Sequence, residues 1–447
     1  MSPTDSPSLP FPTRVRRFTA VARMVVTIYV GYKARQAWGA ITGASSRPDY
    51  YDAWHTRSAE MARDTALGLE GLLIKACQFA GSRADILPPQ FIDILAQLQD
   101  RVPPRPFEEI RPWLEAQLGR PLEQCYAHIE PTPLASASLA QVHRGKLHDG
   151  SDVAIKIQYP RIERVIATDL ANFAFFIRLL ARIERTFDFR ILLDELYKYI
   201  PLELDFVNEA ANARRFGADF ADDPQVVFPT PVAALCTRTV LTMNYIEGVK
   251  ITDLAGLERI GVDKHHVAEL LARTYIRQIL VHGFFHGDPH PGNLLVQRGT
   301  AGPVLVILDL GLAKEFTPAL RDGLIRLTTA IIAQDAAAVG EAFRQLGFRT
   351  RTGSDDTFVT IGELFLGQAL RAGRAYADLA MVERINDELM RALRANPIVR
   401  ASSDLLLVLR VMGLLSGIGK TLDSKVDPLA AMMPFLGMSF SPLRPTR

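Results

Sequence analysis

The chain has 447 residues, too many for one compact core, so two or three packed units are expected. Hydrophobic residues make up 48% and charged residues 22%, the balance of an ordinary globular protein. The net charge of +2 gives no general case for a nucleic-acid partner. Cys77, Cys125 and Cys236 are widely separated and odd in number. They read as reduced thiols of a cytoplasmic protein, with no disulfide partner.

Met1 to Pro12 is rich in Pro and Ser and reads as a disordered tail. Arg14, Arg16 and Arg17 follow, then a mildly apolar run from Phe18 to Tyr32 that Arg23 interrupts. The run is short of the ~20 residues a membrane span needs, and no convincing A-x-A-like cleavage site follows. Packing on the main body is expected of this helix; the alternative is an amphipathic helix lying on the inner face of a membrane. Residues 1–50 thus hold the tail and this helix.

Residues 51–120 read as a helical segment. Leu69, Leu72, Leu73 and Ala76 recur at helical spacing, and Lys75 and Gln78 share one face. Taken alone, a Lys/Gln pair of this kind is a solvated face. Leu87-Pro88-Pro89 closes the stretch, and Phe91–Leu98 and Phe107–Leu118 form two more helices, each preceded by proline.

The period then changes. Leu139–Leu147 and Val153–Gln158 read as strands joined at His148-Asp149-Gly150-Ser151. The second strand carries Val153-Ala154-Ile155-Lys156, which matches V-A-I-K. In that motif the Lys pairs with the α/β-phosphates of a nucleotide and with a helix Glu. Ahead of the first strand lies Pro133-Leu134-Ala135-Ser136-Ala137-Ser138, where a kinase has a Gly-rich loop over the phosphates. Ala135, Ser136, Ala137, Ser138, Val142, Ala154 and Lys156 are therefore the candidate nucleotide-binding positions.

Ile162, Val165, Ile166, Leu170, Phe173, Ile177 and Leu180 make one apolar helical stripe. A second helical run, Ile191 to Phe220, holds Glu203-Leu204-Asp205 and Glu209. Glu209 is the expected partner of Lys156; Glu203 and Asp205 lie one to two turns earlier. Val226–Phe228 and Thr239–Tyr245 are expected to complete the same small sheet, giving an N-lobe of residues 121–246. Glu247-Gly248 then reads as a hinge.

The C-lobe, residues 247–335, begins with a helix from Lys264 to Val281. His286-Gly287-Asp288-Pro289-His290-Pro291-Gly292-Asn293 follows, and Asp309-Leu310-Gly311 closes an apolar run, Val304 to Leu308. This is the spacing of the kinase patterns H-R-D-x-x-x-x-N and D-F-G. The Asp of the first pattern positions the nucleophile, and the Asn and the later Asp hold Mg²⁺. Mg²⁺ is a hard ion that takes oxygen ligands and borrows some from phosphate, which suits one amide and one carboxylate. His286 and His290 offer a zinc reading, but a fourth ligand is not evident. Leu294–Val296 is a further strand. After Gly311 the pattern reads as helical to about Gly417, within a helical region of residues 336–447. Asp355–Phe365 and Met381–Leu393 are amphipathic, and Leu405–Ile418 reads as a buried helix.

Taken together these motifs resemble the UbiB family of atypical, protein-kinase-like proteins, also called the AarF-domain family. Lys75-Ala76-Cys77-Gln78 stands where the family has K-x-G-Q, Ala135–Ser138 in its Ala-rich loop, and Glu203-Leu204-Asp205 at its E-x-D. The resemblance covers roughly residues 60 to 330. It implies an α+β, bilobal kinase-like fold with an N-terminal helical segment over the active site and a helical C-terminal extension. It implies ATP or ADP with Mg²⁺, and ATP hydrolysis more than protein phosphorylation. It further implies membrane-lipid or quinone-pathway partners, often at a membrane. By the motif match, Asp288 would hold the catalytic-base position, and Lys156 would touch phosphates and pair with Glu209. Asn293 and Asp309 would bind Mg²⁺. Lys75, Gln78, Glu203 and Asp205 would project into the active site. The chain departs from the pattern at Cys77, which replaces a glycine, and at Ser136, which replaces an alanine. Two other readings stand beside this one: a small-molecule kinase of the aminoglycoside phosphotransferase type, and a nucleotide-binding scaffold without turnover.

Overall fold

A computed structural model describes residues 9–47, 49–81, 87–96, 98, 104–183, 190–333, 335–354, 356–360, 391, 396, 398–400, 403–426 and 428–436. The amphipathic stretches at 355–365 and 381–393 therefore lie largely outside the described residues. The chain divides into two compact units. The first holds Met1–Ala211 and Thr230–Tyr245; the second holds Asn212–Pro229 and Ile246–Arg447.

The first unit opens with helices α1 (Phe11–Thr42), α2 (Asp52–Leu69), α3 (Leu72–Gly81), α4 (Pro89–Ala96), α5 (Phe107–Leu118) and the short α6 (Leu122–Cys125). Helix α5 shows why these segments are helical. Glu108 and Glu109 sit in its first turn, where the dipole favours carboxylates, and Gly119, at φ 70°, ends it in the left-handed conformation. Strands β1 (His128–Ile129), β2 (Ala135–Ser136), β3 (Ala140–Lys146), β4 (Asp152–Gln158) and β6 (Val240–Asn244) then form an antiparallel sheet ordered β1-β3-β4-β6, with β2 on β3. The β3–β4 turn is closed by the Asp149 carboxylate, which accepts from the Ser151 amide at 2.9 Å, and by Gly150 at φ 88°. Ile155 and Ile157 lie in one fully buried cluster with Phe107, Ile110 and Leu114 of α5. That packing anchors the strand that carries Lys156.

Helix α7 (Ile162–Ile183) follows. The single helical run expected from Ile191 to Phe220 is instead two helices, α8 (Arg190–Glu203) and α9 (Phe206–Asp219). The break falls at Asp205, whose carboxylate accepts from the amides of Val207 (3.0 Å) and Asn208 (3.3 Å). A short acidic side chain competes for backbone donors in this way and starts a new helix.

In the second unit, β5 (Val226–Val227), β7 (Val249–Lys250), β9 (Leu294–Gly299) and β10 (Gly302–Ile307) form a sheet ordered β5-β10-β9-β7. Val226–Phe228 was expected in the first sheet; its strand instead runs parallel to β10, with Leu305 opposite Val226. The chain after Gly311 is also not wholly helical. Strand β11 (Ala313–Glu315) pairs with β8 (Phe284–His286) before α12 (Pro318–Ile332) and α13 (Ala336–Gln345) begin. Strands β12 (Arg349–Thr350) and β13 (Ile398–Arg400) make a small separate ladder. The expected buried helix at Leu405–Ile418 is α14 (Ser403–Thr421), ahead of α15 (Pro428–Leu436). It buries one face only: Val411, Ile418 and Leu422 are in the core, while Met412, Gly413 and Gly417 are exposed. The core of this unit is aromatic around α11 (Lys264–Ile276), which follows α10 (Leu254–Arg259), and gathers Phe216, Phe228, Tyr275, Phe284 and Phe285. No helix among the described residues is long and apolar enough to cross a membrane.

Candidate nucleotide site

The first unit presents a lysine held by a carboxylate. Lys156 Nζ lies 2.9 Å from both carboxylate oxygens of Glu209. The pair is nearly dry, with side chains 13% and 5% exposed. A bidentate, desolvated contact of this kind fixes the ammonium far better than a surface ion pair. Three features build it. Strand β4 is pinned between β3 and β6. Glu209 sits in the first turn of α9, where the helix dipole favours its charge. The Phe206 ring lies 5.1 Å from Nζ and adds a cation–π contact.

Register places the other nucleotide candidates beside Lys156. Ala135 is opposite Val142, and Val142 is opposite Lys156, so the three share one face of the sheet. Ala154 is two residues from Lys156 on the same strand and lies on that face too. The Lys156 ammonium thus stands among the side chains of Ala135, Val142 and Ala154, with Arg144 further along the same face opposite Ala154, an arrangement that suits a planar ring beside phosphates. The Ala-rich segment is strand β2 running into a tight bend at Ser138, across which the Ala137 amide donates to the Ala140 carbonyl at 2.8 Å. Ser138 is buried. The Ser136 hydroxyl, the departure from the family alanine, lies 2.7 Å from the Tyr159 hydroxyl.

Lys75 of α3 lies 2.6 Å from Glu203, the last residue of α8. The first and third motifs of the resemblance therefore meet as an ion pair within this unit. Asp205 serves as the cap of α9 described above. Gln78 lies on α3, and its side chain is outside the described residues. Cys77 is packed in an apolar cluster with Val21, Leu69, Leu73 and Leu95. Burial pushes its thiol up to about 12, so it stays protonated and acts as a small apolar filler.

The second unit presents the two acidic loops. His286 is fully buried, and burial holds its pKa below the usual imidazole value. Its Nδ1 meets the Tyr275 hydroxyl at 2.9 Å and its Nε2 the Asp309 carbonyl at 3.0 Å. A neutral ring bonded at both nitrogens is a strut, which is why the zinc reading fails here. Among the described residues no cluster of three His, Cys, Asp or Glu side chains is able to hold a metal. Asp309 adopts φ 55°, a left-handed conformation that is costly for a non-glycine residue. Three backbone ties hold it. His286 meets its carbonyl, Asn212 Nδ2 donates to the Leu310 carbonyl at 2.9 Å, and the Gly287 amide donates to the Leu312 carbonyl at 2.8 Å.

Asp288 and Asn293 lie on a stiff loop. The His290 amide donates to the Asp288 carbonyl at 2.7 Å, and Pro291–Asn293 is a single 3₁₀ turn. Asn293 then enters β9. The β9–β10 register sets Leu294 opposite Ile307, and the Leu308 amide donates to the Asn293 carbonyl at 2.8 Å. Asn293 and Asp309 are thereby brought to the same end of one hairpin. An amide oxygen and a carboxylate at adjoining strand ends are hard donors that suit Mg²⁺ shared with phosphates.

Sequence reasoning missed Tyr275 and Asn212, which tie the Asp309 loop from other elements. No local signal marks either; only their positions in the fold do.

The family model for the ABC1 atypical kinase-like domain matches residues 97–343. The chain is 31% identical over 380 residues to an ACTIVITY OF BC1 COMPLEX KINASE 7 protein of Arabidopsis thaliana, covering 85% of this chain and 54% of that one. It is 35% identical over 295 residues to AarF domain-containing protein kinase 1 of Xenopus tropicalis, covering 66% and 56%. The chain spans about half to two thirds of the length of these curated relatives. Among solved structures, a Mycobacterium tuberculosis protein in complex with erythromycin aligns with a TM-score of 0.58 and 25% identity, over 89% of this chain and all of that one.

Proposed function

The chain belongs to the ABC1 atypical kinase-like family, and from that premise we propose that it binds ATP with Mg²⁺ and turns it over as an atypical kinase or ATPase. The observation that carries the reading is the bidentate contact of Lys156 with Glu209 at 2.9 Å, on a sheet face shared with Ala135, Val142 and Ala154. In this reading Lys156 is held with its charge facing the phosphates, and the small residues of the sheet leave room for the base and ribose. Asn293 and Asp309 would hold Mg²⁺, which neutralises phosphate charge when bound. Asp288 would orient the attacking hydroxyl or water and accept its proton. The Lys75–Glu203 ion pair would fix the covering helix α3.

We further propose that this activity serves isoprenoid quinone synthesis or membrane lipid homeostasis; the support is the family resemblance. Titration calorimetry with a non-hydrolysable ATP analogue tests the site. Losing one charge-assisted contact removes about 1.5–3 kcal/mol, so Lys156→Met weakens nucleotide binding about 10- to 150-fold. Asp309→Asn abolishes the dependence of binding on Mg²⁺. Unchanged affinity in the first variant and unchanged metal dependence in the second would remove the assignment.

A further inference from the structure

Strand β2 is two residues long and pairs with β3 off the main path of its sheet. Backbone bonds alone hold so short a strand weakly. Its two side chains point to opposite faces. Ala135 stands opposite Val142, on the Lys156 face, and Ser136 stands opposite Gln141, on the other. Gln141 is fully buried there beside its ladder partner Ile157, on the side that packs on α5. Ser136, a candidate nucleotide-binding position by sequence, therefore turns its side chain away from the Lys156 face.

Tyr159 meets that side chain. Its hydroxyl lies 2.7 Å from Ser136 Oγ, and its amide donates to the Leu139 carbonyl at 3.0 Å. One residue thus ties both ends of the bend that runs from Ser136 to Leu139. Tyr159 is itself fixed: it is buried, and the Arg105 guanidinium lies 4.7 Å from its ring centroid. Burial raises the pKa of the phenol, which keeps its proton at neutral pH. Arg105 is held in turn by Gln141. The Arg105 amide donates to Gln141 Oε1 at 3.0 Å, and Gln141 Nε2 donates to the Arg105 carbonyl at 3.2 Å. The bend, strand β3 and the segment ahead of α5 are joined around one phenol.

We propose that Ser136 and Tyr159 are positioning residues for nucleotide binding: their hydroxyl contact holds the Ala-rich bend in the shape that receives the phosphates. The proposal rests on the nucleotide reading above and extends it to two side chains on the far side of the sheet. Packing does not require the contact, because the Tyr159 ring fills its cluster and a phenylalanine would fill the same volume. What the hydroxyl adds is a bond to the bend. A loop ordered before the ligand arrives loses less entropy on binding, so the contact is read as affinity.

Titration calorimetry with a non-hydrolysable ATP analogue and Mg²⁺ compares the wild type with Ser136→Ala, Tyr159→Phe and the double variant. Each substitution removes one oxygen, and circular dichroism checks that every variant is folded. The net worth of one hydrogen bond predicts that each single variant binds about 2- to 12-fold more weakly. The double variant stays within about twofold of the singles, because the two oxygens make one contact. Ser136→Thr keeps the hydroxyl and stays within about twofold of the wild type. Adenosine, read by displacement of the analogue, has no phosphates and keeps its affinity in every variant. In the nucleotide-free protein, the peptide spanning 134–142 exchanges its amides faster in both single variants. Unchanged analogue affinity in the singles overturns the proposal, as does full additivity in the double variant. Equal weakening of adenosine and the analogue marks a merely structural contact and overturns it too. A wild type that binds no analogue removes the nucleotide reading and this proposal together, whereas binding that all variants retain removes the proposal alone.

Discussion

Arg17 and Asp169 form an ion pair whose removal has a calculable cost. The guanidinium donates from Nε to one Asp169 oxygen at 2.6 Å and from Nη2 to the other at 2.5 Å. It also donates to the carbonyls of Leu69 (2.6 Å) and Glu70 (3.1 Å), the last turn of α2. The Leu72 amide, at the first residue of α3, faces the Asp169 carboxylate and favours its charged form. One pair therefore supplies a cation to the C-terminus of one helix and an anion to the N-terminus of the next. Between them Glu70 and Gly71 both adopt positive φ, 55° and 69°. The Arg17 and Asp169 side chains are over nine-tenths buried. Arg17→Met leaves the carboxylate buried without its cation, which costs about 3–5 kcal/mol. Arg17→Met with Asp169→Leu removes the orphaned charge, so the double variant is about 2 kcal/mol more stable than Arg17→Met alone. The chain has two units, so a single melting curve mixes them. Hydrogen exchange read by mass spectrometry on peptides of α2, α3 and α7 isolates the local effect. A cost under about 1 kcal/mol for Arg17→Met would refute the reasoning, as would single effects that add to within about 0.5 kcal/mol.

Two further outcomes are expected. His282 ends the π-helical turn Arg277–His282; burial, reinforced by the nearby Arg277 charge, lowers its pKa to about 4 from 6.5. Its Nε2 accepts from Arg277 at 3.1 Å, which requires a neutral ring. The unfolded chain then binds the proton more readily, so this stability is complete above pH 6.5 and is lost as pH falls towards 4. Thermal melts across that range lose part of their slope in His282→Gln; an identical slope would remove His282 from the account. Tyr275→Phe leaves His286 without a partner at Nδ1, a buried loss of about 1–3 kcal/mol. It loosens the Asp309 loop, seen as faster exchange in the peptide spanning 305–313, with nucleotide affinity falling and Mg²⁺ dependence kept. Unchanged exchange would make Tyr275 mere packing.

The Lys156 strand, its hairpin partner and the loops at Asp288 and Asp309 were legible because each is local: a period of two, a turn, a fixed spacing. Strand β5 was assigned to the wrong sheet because two residues carry no periodicity that names a partner. The α8–α9 break at Asp205 was hidden in a continuous helical pattern, although a capping carboxylate is a readable signal. The Arg17–Asp169 pair joins residues 152 positions apart, and no pattern in either neighbourhood requires it. At Cys77 the chain has a larger residue where the family pattern has glycine. Its burial among Val21, Leu69, Leu73 and Leu95 shows a thiol tolerated as apolar volume.

The central claim is Mg²⁺-dependent ATP turnover at this site. Its most direct measurement is phosphate release by the purified chain with Mg²⁺, beside Asp288→Asn, which keeps the size of the side chain and removes its charge. The account predicts turnover in the wild type and a loss of about 100-fold or more in the variant, with ATP binding retained. Binding with no turnover in the wild type, or equal turnover in both proteins, would contradict it.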